Sequence, residues 1–209
     1  DHIDIYAWKP LEKGFDLKLV KRIPAGKTPS HIMIDAKSTT AYVTLQDSDQ
    51  LIAIDLATQT PKWTVSTGKT PAFLTPDQKT LLVALTGDSY VEAYDVSNGP
   101  AKLISRIKTA AGAHAFRAQG DKRHLFVSNR TANSISRIDL QTLAVVDTFP
   151  VPGGPDCMDV LADGKTLLVT SRWARKLTVV DLDQKKVVKQ VNVGKSPHGV
   201  WTLNHAPTR

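Results

Sequence analysis

Apolar and polar residues along this chain fall into short segments, and the same order of segments returns about every 42 residues. The unit at 154–193 shows the pattern. Residues 157–161 alternate weakly, and Ala162-Asp163-Gly164-Lys165 has the chemistry of a turn. Residues 166–170 form a branched apolar run, read as a buried strand. Residues 176–182 give a third strand, and 186–193 a fourth with period-2 alternation over its second half. Four antiparallel strands in about 42 residues make one propeller blade.

The other units, at about 26–67, 68–111 and 112–153, keep this order. Three of the four units open on a Gly-rich phrase: Gly26-Lys27-Thr28-Pro29, Gly68-Lys69-Thr70-Pro71 and, in the last unit, Gly153-Gly154-Pro155; Gly194-Lys195-Ser196-Pro197 follows it. Each third strand ends in Asp: Asp55, Asp95, Asp139 and Asp181. Such a series admits a carboxylate ring for metal, but an Asp at a strand end is better placed to accept backbone N–H groups of the next turn. Gly-Lys-Thr also spells part of a phosphate loop. The earlier glycine that loop needs is replaced by Lys21, Trp63 and Lys189, and a strand follows rather than a helix.

The pattern predicts an all-β fold, a β-propeller of four-stranded antiparallel blades, in one domain over 1–209. Residues 1–25 supply a third and a fourth strand, and 194–209 a first strand. The total is 19 strands, about five blades' worth, and both ends are expected to share a closing blade. If the ring stays open, its exposed edges invite oligomerisation. The second unit is irregular: Pro71 to Val83 is 12 residues, where Pro29 to Val43 and Pro155 to Val169 are 14. Two residues are missing near Ala72-Phe73.

Composition changes this picture little. The chain has 209 residues, 41% of them hydrophobic, enough for one buried core. The net charge of +7 is scattered and not interleaved with aromatics, which argues against nucleic acid as a partner. The single cysteine, Cys157, excludes an intrachain disulfide. No apolar run is long enough to span a bilayer. The chain begins at Asp1 rather than Met, consistent with a removed export signal and a periplasmic or extracellular location.

Tyr42-Val43-Thr44, Ile54-Asp55-Leu56 and the Gly-Lys-Thr-Pro phrase resemble the YVTN family of bacterial β-propeller repeats. Residues 153–160, 171–174 and 194–201 are similar to its exported proteobacterial members. The resemblance implies a propeller, usually of seven blades, more than 209 residues hold. It implies no single activity: some propellers of similar repeat type are lactonases, and the haem propeller of nitrite reductases is a distant cousin by fold.

Aligning the units shows where chemistry would be grafted. Ser30, Ala72, His114, Asp156 and His198 fall at one position beside the channel mouth, followed by His31, Ala115, Cys157 and Gly199. Second-strand ends add Gln46, Asn129, Arg130, Arg172 and Trp173. Non-identical polar residues on a repeating frame mark a site. In the reading the residues favour, His114, Arg130, Asp156, Arg172, Trp173 and His198 bind a small anionic ligand or a protein partner without catalysis, the arginines forking onto carboxylate or phosphate and Trp173 stacking. The same arginines are equally suited to bridging blades. A second reading has His31, His114 and His198 hold a metal or haem, without any close ligand spacing in the sequence to support it. A third is a lactonase using Asp156 with His114 or His198. Cys157, in an apolar segment, is expected to be buried and inert.

Overall fold

The computed structural model describes residues 1–69 and 79–208, apart from which only the backbone of 72–74 is described. Among these residues there is no α-helix, only a short 3-10 turn at Gln46–Ser48, and no helix is long and apolar enough to cross a membrane. Four four-stranded antiparallel sheets follow the chain. Blade 1 is β3 (Pro29–Ile34), β4 (Thr40–Leu45), β5 (Gln50–Asp55) and β6 (Thr60–Ser66). Blade 2 is β7 (Ala72–Leu74), β8 (Thr80–Ala84), β9 (Tyr90–Asp95) and β10 (Lys102–Lys108). Blade 3 is β11 (Ala113–Ala118), β12 (His124–Asn129), β13 (Ser134–Asp139) and β14 (Ala144–Pro150). Blade 4 is β15 (Pro155–Val160), β16 (Thr166–Ser171), β17 (Lys176–Asp181) and β18 (Lys186–Asn192). Before them, β1 (His2–Pro10) and β2 (Phe15–Pro24) form a two-stranded sheet.

Blades 1 to 3 are buried on both faces, which is why their second strands read as unbroken apolar runs; blade 4 buries one face on blade 3 and leaves Leu168, Leu177 and Val179 of the other half-buried. On β8, Leu81 and Val83 join Tyr42, Leu51 and Ala53 of blade 1 in one core, while Leu82 and Ala84 join Ala113, Leu125 and Val127 of blade 3 in the next. On β12 the alternate residue Phe126 turns the other way, onto Met158, Leu167 and Val169 of blade 4. Phe126 meets Phe149 edge to face, with ring centroids 6.2 Å apart. Ile3, Ile5 and Ile23 of the β1–β2 hairpin cover the outer face of blade 1 in the same way. Successive sheets thus stack face to face through interdigitated side chains.

The strand-end aspartates act locally. Asp55 accepts from the backbone of Ala57 and Thr58, Asp139 from Gln141 and Asp181 from Gln184.

Every inner strand but one carries the same register break. Pairing jumps between Pro29 and Ile32, between Ala113 and Phe116, and between Pro155 and Met158. The second residue of each break has its N–H turned off the ladder, and a hydroxyl on the neighbouring strand receives it. Thr44 accepts from His31, Ser128 from Ala115 and Thr170 from Cys157, each at 3.1 Å. Blade 2 lacks both halves of this device. Ala84 stands where the hydroxyl would be, and Ala72 opposes Val83, the place of Ile32, Phe116 and Met158 opposite Val43, Val127 and Val169. The alignment of Ala72 with Ser30, His114 and Asp156 is therefore corrected: the two missing residues are the bulged pair. Residues 70–71 and 75–78, with Thr70-Pro71 of the second phrase, lie outside the described residues.

The expectation that residues 194–209 complete the sheet of β1 and β2 does not match the pairing. These two strands pair with each other, and residues 198–203 are not assigned as strand. The C-terminal segment lies along β15 instead. Thr202 gives its N–H and its hydroxyl to Asp159, each at 2.8 Å. His205 bridges Leu161, and buried Arg117 binds Asp159 at 2.9 Å while donating to the carbonyls of Ala206 and Pro207.

If the hydroxyl completes the bulge, Ser128→Ala strands the buried Ala115 N–H. The expected loss is about 1–3 kcal/mol in urea unfolding, against a negligible change for an exposed serine, as in Ser66→Ala.

Candidate functional site

The register breaks position the site. The first residue of each bulge is Ser30, His114 or Asp156, and the loop after each second strand returns beside it. The same backbone bond fixes that return in three blades, Gln46 N to Thr28 O, Arg130 N to Gly112 O and Arg172 N to Gly154 O, at 2.8–2.9 Å; in blade 2 Thr86 N reaches Lys69 O, one residue earlier in the phrase, at 2.6 Å. Two series of side chains, one on inner strands and one on loops, are thereby held at the same end of the propeller.

They converge on Asp156, whose side chain is fully buried. Arg130, from blade 3, donates to Asp156 Oδ2 at 2.6 Å. Arg172, from blade 4, reaches the same oxygen at 3.3 Å and gives its Nε to Ser196 at 2.8 Å. His114 Nε2 lies 3.2 Å and His198 Nε2 3.7 Å from Oδ1. Arg130 also contacts His114 Nε2, and the other ring nitrogen of His114 is 3.1 Å from the Thr86 hydroxyl. Arg130 thus bridges two blades and belongs to the mouth cluster at once.

The electrostatics follow from burial and these partners. Burial raises the Asp156 pKa, but the hydrogen bond to His114 and the charge of Arg130 outweigh it, leaving the carboxyl well below the usual carboxylate range. For His114, burial dominates and lowers the value; Asp156 pulls it up and Arg130 pushes it down again. The imidazole is neutral at pH 7. Arg130 can only donate, so it wants a lone pair on His114 Nε2, whereas Asp156 wants a proton there. Burial likewise lowers His31, with repulsion from His114 and His198 adding to it. Burial first, and then the Asp156 charge, pushes the Cys157 thiol up to about 12. It stays protonated, but the expected burial in an apolar segment is corrected: Cys157 is half-buried, and its thiol lies 3.6 Å from Asp156 Oδ1 and 3.8 Å from His198 Nδ1.

Not every expected residue joins the cluster. His31 stands edge-on to His114, with ring centroids 6.1 Å apart, outside the donor set formed by His114, Asp156 and His198. Asn129 turns into blade 3 and donates to Ser134 and Ser136. Trp173 lies over the Gly153-Gly154 turn, more than half exposed. Gly154 has φ +68°, and a Cβ there would sit 2.5 Å from the indole. The last unit therefore has Gly154 where the first two phrases have Thr28 and Thr70. Thr86 and Ser196 went unnoticed in the sequence, although Thr86 occupies the loop position of Gln46, Arg130 and Arg172 in the repeat alignment.

A model of the YncE-like beta-propeller family matches residues 1–208. The chain belongs to that family. The protein YncE of Salmonella typhi is 29% identical to this YncE-like propeller over 163 residues, 75% of this chain and 46% of the relative. The chain thus spans about half the length of the curated relatives it matches. Among solved structures, the periplasmic gluconolactonase PpgL of Pseudomonas aeruginosa superposes with a TM-score of 0.78 at 17% identity, covering 99% of this chain and 67% of that one. Hydrazine synthase of Kuenenia stuttgartiensis gives 0.68 at 22%, over 78% of this chain and 50% of that one. At such identities the likeness is one of fold.

Chemically, the cluster of this YncE-like propeller suits charge recognition better than proton transfer. Asp156 is too acidic for an effective base at neutral pH. The donor atoms of His114, Asp156 and His198 all lie within 4.8 Å of one another, close enough to hold a metal ion. A cation bound by the two Nε2 atoms and Asp156 Oδ1 would compete with Arg130 for His114 Nε2, while Arg130 holds the other carboxylate oxygen.

The neutral state of His114 predicts a pH effect. Its folded-state pKa lies below the ordinary 6.5, so on acidification the unfolded chain takes up the proton first. This contribution is complete above pH 6.5 and is lost as pH falls toward the folded-state value. Between pH 7 and pH 5 the urea midpoint of the native protein should fall more steeply than that of His114→Gln; parallel curves would remove the assignment.

Proposed function

We propose that this YncE-like propeller is a non-enzymatic binding protein, exported to the periplasm or cell exterior, whose channel mouth takes a small anion or an anionic group on a protein partner. One observation carries the reading: a single buried carboxylate, Asp156, is matched by two guanidiniums, Arg130 and Arg172, which leaves the cluster one positive charge in excess. Arg172 is the exposed member. Its Nε and Nη1 are engaged by Ser196 and Asp156, which orients the remaining Nη2 donor group. A guanidinium held in this way loses little entropy on meeting a carboxylate or phosphate. The half-exposed indole of Trp173 adds an apolar face at the next residue.

The clustered imidazoles and carboxylate support a second reading, a metal centre. Elemental analysis of the purified protein separates the two: stoichiometric zinc, copper or iron would replace the anion reading. Hydrolysis of the kind named for the Pseudomonas lactonase is disfavoured by the low pKa of Asp156 and the protonated Cys157 thiol.

Titration with inorganic phosphate and with gluconate, followed by the ring resonances of His114 and His198, tests the proposal. Arg172→Ala combined with Trp173→Ala should weaken binding at least about tenfold, since a hydrogen bond to a charged group contributes roughly 1.5–3 kcal/mol, with the thermal midpoint little changed. Unaltered affinity in a folded double variant would remove the mouth as the binding site.

A further inference from the structure

The repeat supplies its own controls, because each blade shows what a position holds when it serves the frame alone. Three positions on the outer half of blade 2 depart from that frame together. Glu92 stands three residues before the strand-end Asp95, where the other blades have Ile52, Ser136 and Thr178. Tyr94 takes the place of Ile54, Ile138 and Val180. Arg106, opposite Glu92 on β10, takes the place of Thr64, Thr148 and Gln190. A fold that accepts isoleucine at the first of these sites gains nothing from a buried carboxylate, whose desolvation must be offset by partners.

The three side chains meet. Glu92 is 2% exposed, accepts from the Tyr94 hydroxyl at 2.6 Å and is bound by Arg106 Nε at 3.0 Å. Burial, followed by the bond to Glu92, raises the Tyr94 phenol, so it stays a proton donor. All three line one cleft of about 630 Å³ between blades 1 and 2. Its walls are apolar at Val65, Leu85 and Leu103. The Arg106 side chain is 63% exposed, so the guanidinium is pinned from behind and accessible in front. Glu92 engages only its Nε, and the two terminal nitrogens form the edge that matches a carboxylate. Asp88 on the rim disfavours a dianion, which points to a single negative charge.

We propose that this cleft is a second binding site, distinct from the channel mouth, for a small organic monocarboxylate: the carboxylate forks onto Arg106 and the apolar body lies between Leu85, Leu103 and the ring of Tyr90. Glu92 is a positioning residue that holds the guanidinium in place. The site draws on no residue of the Asp156 cluster, so it stands or falls independently of the function proposed for the mouth.

Benzoate is a suitable probe, with benzamide as its neutral isostere and benzylammonium as its cationic counterpart, each titrated into the full chain with observation of the Tyr90 and Tyr94 ring signals and the Arg106 Nε signal. Benzoate should give a saturable response at millimolar concentration, the level a ligand of so few heavy atoms sustains. Benzamide and benzylammonium should respond about tenfold more weakly or not at all, tenfold being the loss of one modest charged contact. Arg106→Gln, at an exposed position, should abolish the benzoate response, while Arg172→Ala should leave it intact. An absent response to benzoate, an equal response to benzamide or a stronger one to benzylammonium, or persistence in folded Arg106→Gln would each overturn the proposal.

Discussion

Face-to-face burial between successive sheets is the constraint on which this structure rests. A four-stranded sheet has two faces, and those of blades 1 to 3 are both covered, whereas blade 4 is covered on the side of blade 3. Leu81 and Leu82, adjacent on one strand, therefore belong to different cores, as do Leu125 and Phe126. The frame holds by adding nearly equivalent interfaces, so its repeated residues have little freedom. The first bulged residues Ser30, His114 and Asp156 and the loop residues Gln46, Thr86, Arg130 and Arg172 belong to none of those cores. Residues there can differ from blade to blade without cost to the stack, and the polar side chains do differ there.

The bulge links the frame to the chemistry. Inserting two residues into an inner strand takes one N–H off the ladder, and the buried hydroxyl of Thr44, Ser128 or Thr170 repairs the loss. The insertion also provides the position that carries His114 and Asp156. Where blade 2 omits it, the hydroxyl is replaced by Ala84, and the same blade carries its unusual polar residues on the third and fourth strands instead. A buried carboxylate appears in each place, Asp156 at the mouth and Glu92 in the cleft between blades, and each is held by arginine. Removing an acid would leave its arginine less constrained; removing Arg106 would leave Glu92 a buried charge without its cation, whereas Asp156 without Arg172 keeps Arg130.

Much of the fold was legible in the chain. Branched runs marked the second strands, strand-end aspartates marked the turns, and the Gly-rich phrase marked the passage between blades, because each depends on neighbours within a few residues. The partners of the site were less legible. Arg130 and Arg172 each carry two readings in the sequence, a ligand contact or a bridge between blades; in the structure Arg130 bridges blades within the mouth cluster itself. Thr86 was missed because a lone threonine in a loop carries no signal until the units are aligned. Ala72 was misplaced because the alignment followed the proline of the phrase, whereas the ladder follows the pairing with Val83.

The sequence by itself determined the repeat, the all-β class, the four-stranded unit and the rim on which varied polar residues gather, since period and turn chemistry are local properties that recur in every blade. Only the tertiary structure decided that the C-terminal segment hooks onto Asp159 and Arg117 rather than pairing with the N-terminal hairpin. It alone showed that Gly154 makes room for Trp173, and that two arginines from different blades share one carboxylate. Those outcomes depend on distances between residues tens of positions apart. Such distances are set by how sheets stack around the channel, and no spacing along the chain encodes them.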